Sequence, residues 1–208
     1  MKQTCLGIDQ LENFLKRKSP KKKRLNVGAL CHPASVTSGL QHLIEIIEQN
    51  ANVVSLFGPQ HGIQGETQDN MIEWQDTRDE KGRPVYSLYG ERRRPTPQSL
   101  AGIDLMIIDL FDVGARYYTF IYTMFYMMEE CAKLDIPLLI CDRPNPLGGQ
   151  LVEGPILDTN YRSFVGLHPI SVCHGMTLGE IALHFADFCQ RRPTVDVLKM
   201  KRWSRSMH

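Results

Sequence analysis

The chain has 208 residues, of which 42% are hydrophobic and 23% are charged, and its formal net charge is +1. These values are typical of a globular domain with one substantial core, and they exclude a largely disordered chain. A nearly neutral charge balance gives no general attraction to nucleic acid or to an acidic membrane surface, so we expect neither as a partner.

The N-terminal residues include Asp9 and Glu12 and contain no continuous apolar segment, so we predict no signal peptide. The most apolar stretch covers residues 117–128, which is shorter than the roughly 20 residues that a membrane-spanning helix needs. We therefore expect a cytoplasmic protein. The six cysteines are scattered without paired spacing, which predicts reduced, mostly buried thiols and no zinc site.

Strands and helices alternate along the sequence. We interpret residues 1–23 as a lead-in whose basic run, residues 21–24, is solvated, and residues 24–208 as one α/β domain. Predicted strands cover residues 24–30, 52–57, 85–88, 103–110, 136–141 and 195–198. Predicted helices cover residues 40–49, 117–134 and 178–190, the last with a capping box formed by Thr177 and Glu180. This alternation predicts a mostly parallel sheet with helices on both faces.

Polar residues follow three of the predicted strands. The segments are residues 58–62 (Gly-Pro-Gln-His-Gly), residues 109–116, and residues 142–146 (Asp-Arg-Pro-Asn-Pro). Open α/β sheets bind ligands at the carboxyl ends of their strands. We therefore expect one pocket at this edge of the sheet, lined by His61, Asp109, Asp112, Asp142 and Arg143.

Each of these residues also has a structural interpretation. His61 lies between glycines that let a ligand approach, but it could equally stabilise a tight turn. His32, at the end of the first strand, could likewise contact a ligand or have a structural role. Asp109 and Asp112 could hold the hydroxyls of a ligand, or Asp109 could pair with Arg116 or Arg143.

Asp142 and Arg143 combine an acceptor with a bidentate donor, which suits a sugar hydroxyl or a carboxylate, and scaffolding of the loop is the alternative.

Two other segments have more than one possible role. The basic turn of residues 92–94 could meet an anionic group such as a lactyl carboxylate, or it could be a solvated loop. The tyrosines and methionines of residues 117–128 are more typical of core, with Tyr117 and Tyr118 nearest the predicted site.

Several motifs are absent from the sequence. Neither GxGxxG nor GxxxxGK[ST] occurs, so a nucleotide-dependent enzyme lacks its usual phosphate-binding loop. No GxSxG occurs, which argues against an α/β-hydrolase triad.

A series of further motifs resembles one known family. In chain order they are residues 57–62 with Gly65, residues 86–90, residues 109–116 with Tyr118 and Thr119, residues 142–146, residues 153–155, residues 163–166, and residues 174–177 with Gly179 and Glu180. Their types and order, from Val27 onward, are similar to those of the exo-β-N-acetylmuramidase (NamZ-like) family, long catalogued as a domain of unknown function.

The resemblance implies a Rossmann-like N-terminal domain and a smaller C-terminal domain, with the site in the cleft between them. It also implies release of N-acetylmuramic acid from the non-reducing ends of peptidoglycan during cell-wall turnover and recycling, with no metal or organic cofactor. The expected partner is a peptidoglycan-derived sugar or muropeptide. The residues that we expect to contact it are His32, Asp109, Asp112, Arg116, Tyr118, Asp142, Arg143, Asn145 and Glu153.

The sequence departs from the family pattern at one chemically important position. Gln60 stands where the family carries a glutamate that resembles the catalytic carboxylate, and an amide cannot transfer the proton that glycoside hydrolysis needs. Glu66, in the same loop, is the first candidate for the missing acid. The expected catalytic group is therefore Glu66 and His61, beside Gln60.

Two further expectations concern the extent and activity of the chain. Family members continue into their second domain beyond the segment that here ends in residues 203–208, so we expect part of the cleft to lie outside this sequence. The alternative function is a non-catalytic sugar- or muropeptide-binding module, or an inactive fragment, and Gln60 favours that alternative.

Overall fold

The computed structural model describes residues 3–18, 24–63, 65 and 73–207. Strands within these residues are β1 (Asn26–Leu30), β2 (Asn52–Gly58), β3 (Thr77–Arg78), β4 (Pro84–Ser87), β5 (Leu105–Ile108), β6 (Leu138–Cys141) and β7 (Val195–Leu198). Helices are α1 (Leu11–Lys18), α2 (Leu43–Asn50), α3 (Phe120–Lys133) and α4 (Leu178–Ala186), with short 3₁₀ helices at Ile8–Gln10 and Thr159–Tyr161.

The strands form one sheet in the order β3-β4-β2-β1-β5-β6-β7. Every neighbouring pair is parallel except β3 with β4. Without β3, the order is that of a Rossmann sheet, in which the chain moves outward from β1 in one direction and then returns to continue from β5 in the other. The predicted α/β class and the mostly parallel sheet are confirmed.

Alternating residues of the central strands serve two hydrophobic cores. Val27, Ala29 and Ile107 face the core formed with α1 and α2. Leu30 and Ile108 face the core formed with α3 and α4. Because successive side chains of a strand point to opposite faces, a strand covered on both sides must be apolar throughout, which explains the continuous hydrophobic runs in the sequence.

Residues 3–18 pack onto the domain. Ile8, Leu11 and Leu15 are buried in the core under α2, and the Gly7 N–H donates to the carbonyl of Asp142 at 2.9 Å. The predicted boundary at residue 24 therefore does not separate a lead-in from the folded unit. Most of the basic run, residues 21–23, lies outside the described residues.

The three predicted helices are shorter in the structure, and side-chain caps explain where α2 and α4 begin. The α2 helix begins at Leu43 because the His42 ring accepts from the Ile44 N–H as an N-cap, whereas the predicted helix began at residue 40. The capping box of Thr177 and Glu180 is present at the start of α4. Across the described residues, the helices are too short or too polar to cross a membrane, the longest being α3 with 14 residues.

Candidate functional site

The candidate site lies where β1 and β5 end side by side. His32 follows β1 and is buried, and its Nε2 accepts from the Phe111 N–H at 3.0 Å, just beyond β5. Burial, together with the positive charge of Arg143, lowers the pKa of His32 to about 4. His32 is therefore a neutral imidazole that holds the two loops together at the point where Rossmann folds open a crevice.

Asp109 and Arg143 form a buried ion pair. Arg143 donates from Nε to Oδ1 at 2.6 Å and from Nη2 to Oδ2 at 2.8 Å, and Nη2 also donates to the Val36 carbonyl at 2.8 Å. Burial raises the pKa of Asp109, and the guanidinium partly offsets that rise. Of the two ion pairs considered from the sequence, the one with Arg143 is the one that forms.

Asp112 lies three residues further on, against a histidine from another loop. Its Oδ2 accepts from the Gly114 N–H at 2.9 Å and lies 3.1 Å from Nε2 of His174. The His174 Nδ1 accepts from the Met176 N–H at 3.2 Å, which turns the other ring nitrogen, Nε2, toward the carboxylate. The other carboxylate oxygen of Asp112, Oδ1, is buried and has no hydrogen-bond partner among the described residues.

Asp142 and Asn145 are occupied by contacts within the chain. Asp142 accepts from the Gly179 N–H at 2.8 Å, so its carboxylate stabilises the N-terminus of α4. Burial raises the pKa of Asp142, and this hydrogen bond opposes the rise. Asn145 donates to the Met176 carbonyl at 3.2 Å and accepts from the Leu147 N–H at 2.9 Å. Both side chains organise the loop after β6.

The loop after β2 brings Gln60 and His61 to the same edge of the sheet. Thr119, at the start of α3, donates from its hydroxyl to Oε1 of Gln60 at 3.0 Å. The amide nitrogen of Gln60 remains as the donor end of the side chain. His61 adopts a left-handed backbone conformation with a φ of 73°, which is uncommon for a residue with a side chain.

A cavity of about 610 Å³ adjoins this loop. His61 and Trp74 line it, whereas Asp109, Asp112, Asp142 and Arg143 do not. The five residues expected in one pocket therefore share an edge of the sheet, as parallel strands require, but they do not share this cavity. Glu66 lies outside the described residues.

The remaining expected contact residues differ in exposure. Tyr118 is half-buried, and burial and the nearby charge of Asp112 raise its pKa. Arg116 donates to the carbonyls of Pro155 and Ile170, both at 2.7 Å, so its guanidinium holds the segment after β6. Glu153 is exposed, and its backbone pairs with Cys173.

Sequence reasoning missed the structural roles of two residues. In the sequence His174 belongs to a family motif, and its position shortly before the cap of α4 gives no sign that it faces Asp112. Trp74 donates from its indole to the Pro59 carbonyl at 3.1 Å, and its ring occupies the space beside Gly58, where a Cβ would lie only 2.6 Å from it. No group of three or more His, Cys, Asp or Glu in the described part of the chain is placed to hold a metal ion.

The fold and this edge define a Rossmann-like α/β domain with a polar site at its topological switch point. The family described as "Exo-beta-N-acetylmuramidase NamZ, N-terminal" matches residues 27–208, so the chain belongs to that family. It is 42% identical over 205 residues to the peptidoglycan beta-N-acetylmuramidase NamZ of Bacillus subtilis (strain 168), which covers 97% of this chain and 48% of that protein.

Two solved structures also match this chain over nearly its whole length. Two DUF1343 family proteins from Bacteroides fragilis NCTC 9343 match with TM-scores of 0.87 and 0.81, each at 35% identity. The matches cover 98% and 99% of this chain, and 52% and 54% of those chains. The chain thus spans about half the length of the relatives that it matches.

Proposed function

We propose that the chain acts as a glycoside hydrolase domain that releases N-acetylmuramic acid from the non-reducing ends of peptidoglycan fragments. The observation that carries this proposal is the 42% identity to a peptidoglycan beta-N-acetylmuramidase across 97% of the chain. The corresponding substrate is a peptidoglycan-derived sugar or muropeptide, and the corresponding site of action is the cytoplasm, where such fragments would be recycled.

In this proposal, Glu66 supplies the proton to the leaving oxygen, and His61 is the other acid/base residue. Gln60 serves as a neutral hydrogen-bond donor, because Thr119 already donates to its carbonyl oxygen. Such a donor can orient a sugar oxygen but cannot protonate it.

A second carboxylate is needed to stabilise the oxocarbenium-like transition state or to activate water. Asp109 already forms an ion pair with Arg143, and Asp142 already accepts a hydrogen bond at the N-terminus of α4. Asp112 is the member of this group with an oxygen that has no hydrogen-bond partner among the described residues. We therefore assign the second carboxylate to Asp112.

The test is release of N-acetylmuramic acid from N-acetylmuramyl-β-1,4-N-acetylglucosamine, followed by mass spectrometry, beside calorimetric titration with N-acetylmuramic acid. Turnover by the chain supports the glycosidase. Binding without turnover supports the alternative, a sugar-binding module, which the amide at Gln60 favours. Absence of both binding and turnover would contradict the two functions together.

A further inference from the structure

Three consecutive arginines follow β4, and their partners differ. Arg92 donates to Oδ2 of Asp76 at 2.6 Å. Arg94 lies 2.7 Å from Glu129 and 3.0 Å from Glu130. Arg93 forms no ion pair with a carboxylate in the parts of the chain that the structure describes. One exposed positive charge in this turn is therefore left without an internal counter-charge.

Aromatic rings hold Arg93 in place. Its guanidinium carbon lies 4.2 Å from the ring centroid of Phe164 and 6.0 Å from that of Tyr89, and the two ring centroids are 6.3 Å apart. A guanidinium over an aromatic face keeps its N–H edges available for a planar anion such as a carboxylate. Because the rings limit its motion, less conformational entropy is lost when an anion binds.

The Arg93 platform, consisting of Arg93, Tyr89 and Phe164, is linked through neighbouring residues to the loop that carries Gln60. Next to Tyr89, the Leu88 N–H donates to the Gly58 carbonyl at 3.0 Å, two residues before Gln60. On the other side, Phe164 packs 6.4 Å from Tyr122, centroid to centroid. Tyr122 lies three residues after Thr119, the residue that contacts Gln60, which is about 4.5 Å along the helix axis.

We propose that Arg93 is a specificity-determining residue that binds the lactyl carboxylate of N-acetylmuramic acid. This inference rests on the proposed function and names the group by which that site selects its sugar. N-acetylmuramic acid differs from N-acetylglucosamine by an O-lactyl ether that ends in a carboxylate. A bidentate contact from Arg93 would recognise that carboxylate, while Tyr89 and Phe164 border the sugar.

The test uses two ligands that differ only at the lactyl carboxyl group, N-acetylmuramic acid and its methyl ester, titrated calorimetrically into the protein. The unchanged protein should bind the acid about 10- to 100-fold more tightly than the ester, as expected for a hydrogen-bonded charge pair. Arg93→Gln should remove this preference, and Arg93→Lys should retain part of it, because an ammonium keeps the charge but not the fork. Arg92→Gln is the matched control and should retain the full preference.

Equal affinity of the unchanged protein for acid and ester would overturn the inference. So would a preference that survives in Arg93→Gln, or one that Arg92→Gln loses to the same extent. Thermal melting of each variant establishes that it is folded under the titration conditions. If the protein turns over N-acetylmuramides but shows no dependence on Arg93, the inference fails and the proposed function stands. If it neither binds nor cleaves them, both fail.

Discussion

The guanidinium of Arg143 and the carboxylate of Asp109 face each other edge to edge, with 5% and 0% of their side chains exposed. The pair joins the ends of β5 and β6, and the bond from Arg143 to Val36 adds the loop after β1. Removing one member of a buried ion pair leaves the other charge uncompensated. Asp109→Asn should therefore lower the free energy of unfolding by about 3–5 kcal/mol in urea titrations.

The matched control is Asp187→Asn, which removes a carboxylate 2.9 Å from Arg192 where both side chains are largely exposed. Exposed pairs contribute little, so this variant should change the free energy of unfolding by less than about 1 kcal/mol. Equal, small effects of the two substitutions would mean that the Asp109 pair does not stabilise the fold.

The sheet could be predicted because each central strand is apolar on both faces. The 195–198 strand matches β7 in full, and the capping box of Thr177 and Glu180 fixed the start of α4. The predicted start of α3 is three residues too early, because Tyr117 and Tyr118 continue the apolar pattern although Tyr118 closes a turn onto Ala115. Periodicity gives the existence of an element more securely than its end.

The sequence predicts at which edge of the sheet the candidate site lies, but not which side chains face it. Because the strands are parallel, His61 and Asp142, which follow two of them, lie at the same edge of the sheet, where the strands end. The direction of each side chain depends on contacts distant in sequence. Asp142 turns toward Gly179 and Asp109 toward Arg143, and nothing local in the sequence distinguishes these partners from a ligand.

His168 should make stability depend on pH. It lies between the rings of Phe125 and Phe188, and both ring nitrogens are buried without a hydrogen-bond partner among the described residues. Burial, assisted by the charge of Arg162, lowers its pKa from 6.5 to about 4. The unfolded chain therefore binds a proton more readily between those values, so stability present above pH 6.5 is lost as the pH falls toward 4.

His168→Phe should remove this contribution and keep the aromatic packing. We expect equal or greater stability at pH 7, and a pH dependence between 6 and 5 that is shallower by up to about 1.4 kcal/mol per pH unit. The measurement is urea unfolding at several pH values. His184, on the exposed face of α4, also lowers the pKa of His168 by its charge, so His184→Gln should reduce the slope only slightly. A parallel shift of the whole profile, without a change of slope, would contradict the assignment to His168.

Gly114 should resist substitution for two separable reasons. Its φ is 82°, and a Cβ there would lie 2.3 Å from Oδ1 of Asn145. Gly102 has a φ of 75° but open space around the same position. Gly102→Ala should therefore cost about 1–2 kcal/mol for backbone strain alone. Gly114→Ala should cost clearly more and should also weaken sugar binding, because its N–H holds Asp112. Similar losses in both variants would show that the contact with Asn145 is dispensable.

Gln60 and Glu66 give the most direct test of the proposed chemistry. If Glu66 is the general acid, Glu66→Gln should lower turnover of a substrate with a poor leaving group by about 10²–10⁴-fold. Gln60→Glu should then give little gain, because a second carboxylate in the same loop adds repulsion rather than a missing proton. Thr119 can donate to either side chain at position 60, so the geometry of that contact is preserved in the variant.

An activated aryl N-acetylmuramide separates loss of the acid from loss of the second carboxylate. Its leaving group needs little protonation, so Glu66→Gln should retain most of its activity on this substrate, whereas Asp112→Asn should lose activity on both substrates. The dependence of activity on pH is an independent test. Activity should fall at high pH as the catalytic acid ionises, and this fall should be absent when the acid is removed. If Glu66→Gln keeps full activity on the poor leaving group with the same pH profile, Glu66 is not the acid. A large gain for Gln60→Glu would then mean that position 60 is where a carboxylic acid belongs in this loop.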